Sequence, residues 1–150
     1  MSDAVLADIT IDAPPEQVWD AMMDPDRMTE WVTIHRKMLS ADDGPPREGM
    51  KMEQCLALRG ATFKVKWKLT ECDPFTYAVW EGKGPVGSSA RTSYALSDTG
   101  DGRTNFHYEN EFKAPMGPLG KAASRVLVGG LPQKEANASL QKLKALVEKH

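Results

Sequence analysis

The sequence is short of the ingredients from which several functions are built. Its only cysteines, Cys55 and Cys72, have no metal-ligand spacing and no histidine cluster beside them, so they read as plain thiols. One of its three histidines is the C-terminal residue. With only His35 and His107 left, spacing assembles no Ser-His-Asp or Cys-His constellation and no metal site. The formal net charge of -2 supplies no long-range attraction to nucleic acid or anionic lipid. Nowhere do ~20 consecutive apolar residues occur, as a membrane-spanning helix requires, and Met1–Asp8 carries neither the basic region nor the apolar run of a signal peptide. The expectation is a cytoplasmic protein with no integral membrane association, no nucleic-acid partner and no cofactor.

What remains is ordinary globular material. Hydrophobic residues make up 41% and charged residues 27% of the 150. A chain of this length buries roughly 70% of its unfolded surface, enough for one domain with a real core.

Val5–Ile11 is aliphatic and β-branched, and Asp12-Ala13-Pro14-Pro15 stops a strand and starts a helix. The spacing of Val18, Trp19, Met22 and Met23 predicts a short helix over Glu16–Met23, closed by Asp24-Pro25 because the residue before proline avoids helical angles. A second short helix is predicted over Asp26–Trp31. After Ile34 a strand to Leu39 passes into a loop, Ser40–Gly49, rich in Asp, Gly and Pro.

Arg59-Gly60 lies between two alternating runs, and a tight turn there pairs residues whose numbers sum to 119. Leu58 then faces Ala61, Leu56 faces Phe63, Gln54 faces Val65, Met52 faces Trp67 and Met50 faces Leu69, a surface apolar except for Gln54. On the opposite face Glu53 meets Lys66, and a wrong register would spoil both patterns at once. Cys55 faces Lys64, and Cys72 lies about 26 Å further along at ~3.3 Å per residue, beyond disulfide reach. A turn at Asp73-Pro74 leads into Thr76–Gly82, where either Tyr77 and Val79 or Ala78 and Trp80 face inward. Ala90–Leu96 and Thr104–Phe112 flank the turn-rich Asp98–Gly102. Pairing near a sum of 200 sets Tyr94 against Phe106, Thr92 against Tyr108 and Ala90 against Asn110, with Arg91 meeting Glu109 on the other face.

Apolar residues recur with helical spacing at Leu119, Ala123 and Val126, and again at Ala136, Leu140, Leu143 and Val147. Between them lies Gly129-Gly130-Leu131-Pro132. Proline costs about 3 kcal/mol inside a helix and glycine about 1, so two segments are expected: Leu119–Val128, able to lift as a gate, and Gln133–Val147, firmly packed.

Together these segments resemble the START-like or SRPBCC superfamily, which includes proteins labelled polyketide cyclase or dehydratase. The likeness is carried by Ile9–Ala21, Asp24–Trp31, Gly49 opening a strand, Asp73-Pro74, Asp101-Gly102-Arg103-Thr104 before the last strand, and Leu140–Leu143. It covers essentially the whole chain as one domain, 1–150. Glu30-Trp31-Val32-Thr33-Ile34-His35 is similar to an actinobacterial branch, some members of which are described as toxins of toxin-antitoxin pairs. The resemblance implies an α+β helix-grip fold, in which a curved antiparallel sheet of about six or seven strands wraps a long C-terminal helix, with two short helices after the first strand. It also implies a cavity between sheet and helix for a hydrophobic or amphipathic partner of the lipid, polyketide or isoprenoid class. The inner face would then be its lining: Met52, Gln54, Leu56, Phe63, Val65, Trp67, Tyr94, Phe106, Tyr108 and Asn110, closed by Trp31, Val126, Leu127 and Leu131.

Periodicity alone favours plain core for the same stripe, whereas the resemblance favours a cavity. Gln54 and Asn110 bear on the choice, because an amide on an apolar face must be hydrogen-bonded by protein, water or ligand. His107 alternates outward with Glu109 and reads as a surface residue. His35, Tyr94 and Tyr108 are the candidates for a single acid should the cavity host a cyclase or dehydratase reaction, although no third residue completes an acid-base set. Gly82-Lys83-Gly84-Pro85-Val86-Gly87 matches a dinucleotide fingerprint in letters only, since a strand rather than a helix follows it. Three readings stand: a carrier of a hydrophobic molecule, which the resemblance favours; an enzyme of cyclase type; and a toxin or other interaction protein with a macromolecular partner.

Overall fold

In a computed structural model, residues 3–58, 61–84, 87–113 and 131–148 are described. Seven strands form one curved antiparallel sheet: β1 (Asp3–Ile11), β2 (His35–Ala41), β3 (Lys51–Leu58), β4 (Ala61–Asp73), β5 (Tyr77–Lys83), β6 (Ser89–Asp98) and β7 (Thr104–Lys113). Their order across the sheet is β1-β7-β6-β5-β4-β3-β2, so the first strand pairs with the last. Helix α1 (Pro15–Met22), a 3-10 turn (Pro25–Arg27) and helix α2 (Met28–Trp31) follow β1, and helix α3 (Leu131–Glu148) ends the described chain. This is the helix-grip α+β architecture that the resemblance implies.

Local chemistry accounts for the short helices. Pro15 occupies the first turn of α1, where a missing N–H costs nothing, and the helix buries Val18, Trp19, Ala21 and Met22. The Asp24 carboxylate then accepts from the Asp26 backbone N–H at 3.0 Å, starting the 3-10 turn that Pro25 pre-sets.

The β3–β4 register runs from Lys51 opposite Lys68 to Leu58 opposite Ala61, every pair summing to 119, as the hairpin pattern predicts. The Leu69 N–H donates to the Met50 carbonyl at 2.8 Å and extends the same ladder. Both cysteines are free. In β5 it is Ala78 and Trp80 that join the central core. A bulge on β4 between Leu69 and Glu71 sets this, shifting the β4–β5 pairing by one residue beyond it.

Two expectations need correction. The β6–β7 pairing sums to 202, not 200: Tyr94 lies opposite Tyr108, Thr92 opposite Asn110, Ala90 opposite Phe112 and Arg91 opposite Glu111. The turn supplies the reason. The Thr99 N–H donates to the Arg103 carbonyl at 3.1 Å, Gly100 and Gly102 take positive φ, and Asp98 pairs with Thr104 instead of Gly102. Because the slip is an even number, each side chain keeps its face. Strand β2 also runs two residues beyond Leu39, to Ala41.

Helix α3 begins at Leu131, so Pro132 falls in its first turn, where proline is tolerated. Leu119–Val128 and the gate suggested for it lie outside the described residues. Ala136, Leu140, Leu143 and Val147 are buried, as their spacing predicts. The C-terminal end of α3 is tied to β1 and α1 by polar bonds. The Asp12 N–H donates to the Glu148 carboxylate at 2.7 Å, Gln17 Nε2 to the Val147 carbonyl at 3.2 Å, and Lys144 Nζ to the Thr10 carbonyl at 3.0 Å.

Candidate functional site

The strongest concentration of unusual chemistry lies on the inner face of β2–β4. His35 opens β2 directly opposite Leu56, which puts its imidazole on the same face as Leu56 and Gln54. Gln54 sits opposite Val65, and Trp67 opposite Met52. The Trp67 indole donates Nε1–H to Gln54 Oε1 at 3.0 Å. Because an indole can only donate, this bond fixes which end of the Gln54 amide is oxygen. The Gln54 amide nitrogen then donates to His35 Nδ1 at 2.7 Å and to the Met28 sulfur at 3.4 Å. Gln54 is 4% exposed and its acceptor and both amide hydrogens are engaged, so the protein itself satisfies this amide.

The unmet hydrogen-bonding capacity lies one step beyond. Among the described residues, three buried side-chain nitrogens have no partner: Trp31 Nε1, His35 Nε2 and Trp80 Nε1. A buried donor left without an acceptor costs about 1–3 kcal/mol. Trp31 is 2% exposed and ends α2, four residues before His35. Burial holds the His35 pKa below its ordinary value and so keeps the ring neutral.

Thr33 lies between these two residues and is clamped to α3. Its N–H donates to Ser139 Oγ at 3.0 Å, and its hydroxyl bonds the Glu135 carboxylate. The position of both unpaired donors is thus tied to the covering helix.

Beside them an aromatic wall runs across β6 and β7. The Tyr94 ring lies 6.4 Å from Trp31, 5.9 Å from Tyr108 and 5.6 Å from Phe106. Such tilted and edge-on contacts add about 0.5–1.5 kcal/mol each beyond area burial. Burial pushes the Tyr108 phenol up to about 12 and raises that of Tyr94 as well, so neither readily gives up its proton. Asn110 Oδ1 accepts from Thr92 Oγ1 at 3.1 Å.

Of the predicted lining, the fold brings together Trp31, Met52, Gln54, Leu56, Val65, Trp67, Tyr94, Phe106, Tyr108 and Asn110 on the inner side. Phe63 is described only at its register position opposite Leu56. Leu131 is the first residue of α3, and Val126 and Leu127 lie outside the described residues. Sequence reasoning missed Met28, Thr33 and Gly82. For Gly82 a signal existed, because a glycine inside a strand often marks a close approach. A Cβ there would meet Trp67 Cε3 and Val65 Cγ1 at 2.7 Å, so the bare backbone makes room for the indole that begins the relay.

His107 faces outward, as expected, between Asp8 (2.7 Å) and Glu109 (3.0 Å), which raise its pKa. The outer side of the sheet also carries a groove of about 940 Å³ lined mainly by charged side chains, among them Lys66, Lys68, Lys83, Glu81 and Arg91. Among the described residues no group of three His, Cys, Asp or Glu side chains is placed to hold a metal, and no helix is long and apolar enough to cross a membrane.

A curved sheet with a partly polar inner face invites comparison with known proteins. Zhui aromatase/cyclase from Streptomyces sp. R1128 superposes with a TM-score of 0.76 over 99% of this chain and 95% of its own, at 13% identity. A conserved protein from Geobacillus kaustophilus gives 0.73 over 98% and 96%, at 16% identity. At such identities the likeness speaks for the fold alone. In sequence, the Mycobacterium tuberculosis (H37Rv) protein named "Uncharacterized protein Rv1546" is 26% identical over 125 residues, 81% of this chain and 87% of its own. "Toxin Rv0910" of the same strain is 24% identical over 120 residues, 79% and 83%. The model of one family, described as polyketide cyclase / dehydrase and lipid transport, matches residues 4–148, and the chain belongs to that family.

Proposed function

We propose that the protein binds a hydrophobic or amphipathic small molecule against the inner face of the sheet, on the side covered by the C-terminal helical region. The carrying observation is that Trp31 Nε1 and His35 Nε2 are buried and have no partner among the described residues, while the inner face beside His35 carries Leu56 and Gln54 and the Trp31 ring lies against Tyr94. Trp80 Nε1 shows that the core itself tolerates one such nitrogen, but two of them four residues apart in the chain suit a pocket that orients an apolar ligand by one or two polar contacts. The family description, which joins cyclases with lipid transport, fits this reading.

Binding ranks ahead of catalysis because the raised phenols of Tyr94 and Tyr108 and the neutral His35 supply no evident acid-base pair. It also ranks ahead of a toxin role, which rests on the name of one relative. Titration with fatty acids and aromatic polyketides is expected to quench the tryptophans saturably, since Trp31 and Trp67 both lie at the site. A flat response across both panels would count against binding. Steady consumption of a polyketide chain, abolished by His35→Gln, would favour the enzyme instead.

A further inference from the structure

The relay determines more than the presence of a polar spot. Trp67 Nε1 can only donate, so Gln54 presents oxygen to Trp67 and its amide N–H to His35 Nδ1. His35 Nδ1 must therefore accept, which leaves the proton of the neutral ring on Nε2. That nitrogen is buried and without a partner among the described residues, and so is the donor-only Trp31 Nε1. Both unmet groups are consequently N–H donors. A ligand hydroxyl or amine hydrogen aimed at either would meet another hydrogen, whereas an acceptor oxygen would satisfy it.

Charge narrows the class further. The buried polar residues among those described are Gln54, Ser88, Thr92, Ser93, Thr104 and Ser139, none of them ionised. A carboxylate brought here would lose its hydration without gaining a buried counter-ion from the described residues, a penalty that a neutral carbonyl escapes. Protonating His35 would not supply the missing cation cheaply, because a proton on Nδ1 would point at the Gln54 amide N–H. Turning that amide over would break its bond with Trp67.

We infer that the site selects a ligand whose polar end is an uncharged hydrogen-bond acceptor, such as a ketone or ester carbonyl, presented to His35 Nε2–H and Trp31 Nε1–H. The inference rests on the binding role proposed above. Gln54 and Trp67 act through His35 and are positioning residues, with Gly82 clearing space for the Trp67 ring.

The test has two arms. In the first, long-range ¹H–¹⁵N correlation on the ligand-free protein at neutral pH reports the His35 tautomer. The expected result is the Nε2–H form, moved toward Nδ1–H or the charged ring by Gln54→Glu, which places an acceptor against Nδ1. An Nδ1–H tautomer in the unaltered protein would overturn the relay. In the second, three bicyclic probes of similar shape are titrated: 2-acetylnaphthalene, 2-naphthoate and 2-ethylnaphthalene. The ketone is expected to bind about 10-fold tighter than either of the others. His35→Phe and Trp31→Phe should each bring the ketone's affinity down toward that of 2-ethylnaphthalene measured on the same variant. Naphthoate or ethylnaphthalene binding as tightly as the ketone would overturn the selectivity yet leave the binding role standing. Failure of all three to bind, with the Nε2–H tautomer intact, would instead overturn the binding role and with it the inference.

Discussion

The two ends of the inner face solve the same burial problem differently. At the β1–β7–β6 end, Ile11, Phe106 and Leu143 are fully buried in a continuous apolar core, and the nearby polar group Thr104 donates to the Ala13 carbonyl at 2.7 Å. At the β2–β3–β4 end, the same kind of sheet surface carries an imidazole, an amide and an indole, and leaves His35 Nε2 without a partner among the described residues. Packing density stabilises a fold, and a buried unsatisfied donor destabilises it. The contrast therefore separates a fully packed region from one that keeps buried polar groups, one of them unpartnered among the described residues.

The comparison can be broken or sharpened by substitution. The largest effect is expected at the packed end, where Phe106→Ala should lower unfolding free energy by about 3–5 kcal/mol in urea melts, with the His35 tautomer unchanged. Next comes Gly82→Ala, whose Cβ would collide with Trp67 and Val65; a loss of about 1–3 kcal/mol is expected, together with loss of the Trp67–Gln54 bond in the indole N–H spectrum.

A smaller effect should appear with pH. The unfolded His35 takes up a proton near 6.5, but burial lowers its folded pKa, so stability is complete above pH 6.5 and falls as pH drops below it toward the folded value. His107 works in the opposite sense, because its raised pKa gives a contribution present below 6.5 and lost as pH rises through the folded value. Urea melts across pH 5–8 on His35→Phe and His107→Gln should remove the two slopes separately. Smallest of all is Trp31→Phe, which deletes an unsatisfied donor along with part of a buried ring and should change stability by less than about 1 kcal/mol. A loss of several kcal/mol there would show that Trp31 belongs to the packed end after all.

The fold was legible because its signals are periodic. Alternation fixed the β3–β4 register, since one slip would have exposed Leu56 and buried Lys66 together. Turn chemistry was less complete. Nothing in Asp98–Arg103 announced that the loop closes through Thr99 and Arg103, which moved the β6–β7 pairs by two. The bulge beyond Leu69 was equally silent, and it decided which residues of β5 face the core. At the site, the residues were named but their partners were not. Gln54 stood out as an amide on an apolar face, yet only side-chain geometry shows that it spends all its bonds on Trp67, His35 and Met28 and hands the unmet donor to His35.

The pairing of β1 with β7 governs how the chain can assemble. Asp3 meets Phe112 and Ile11 meets Thr104, so β1 has to wait roughly a hundred residues of synthesis for its neighbour. Contacts of such sequence separation slow folding, and until β7 arrives β1 presents an unpaired strand edge open to the wrong partner. During synthesis β1 thus carries an aggregation risk that eases when residues 104–112 emerge and cover one of its two edges.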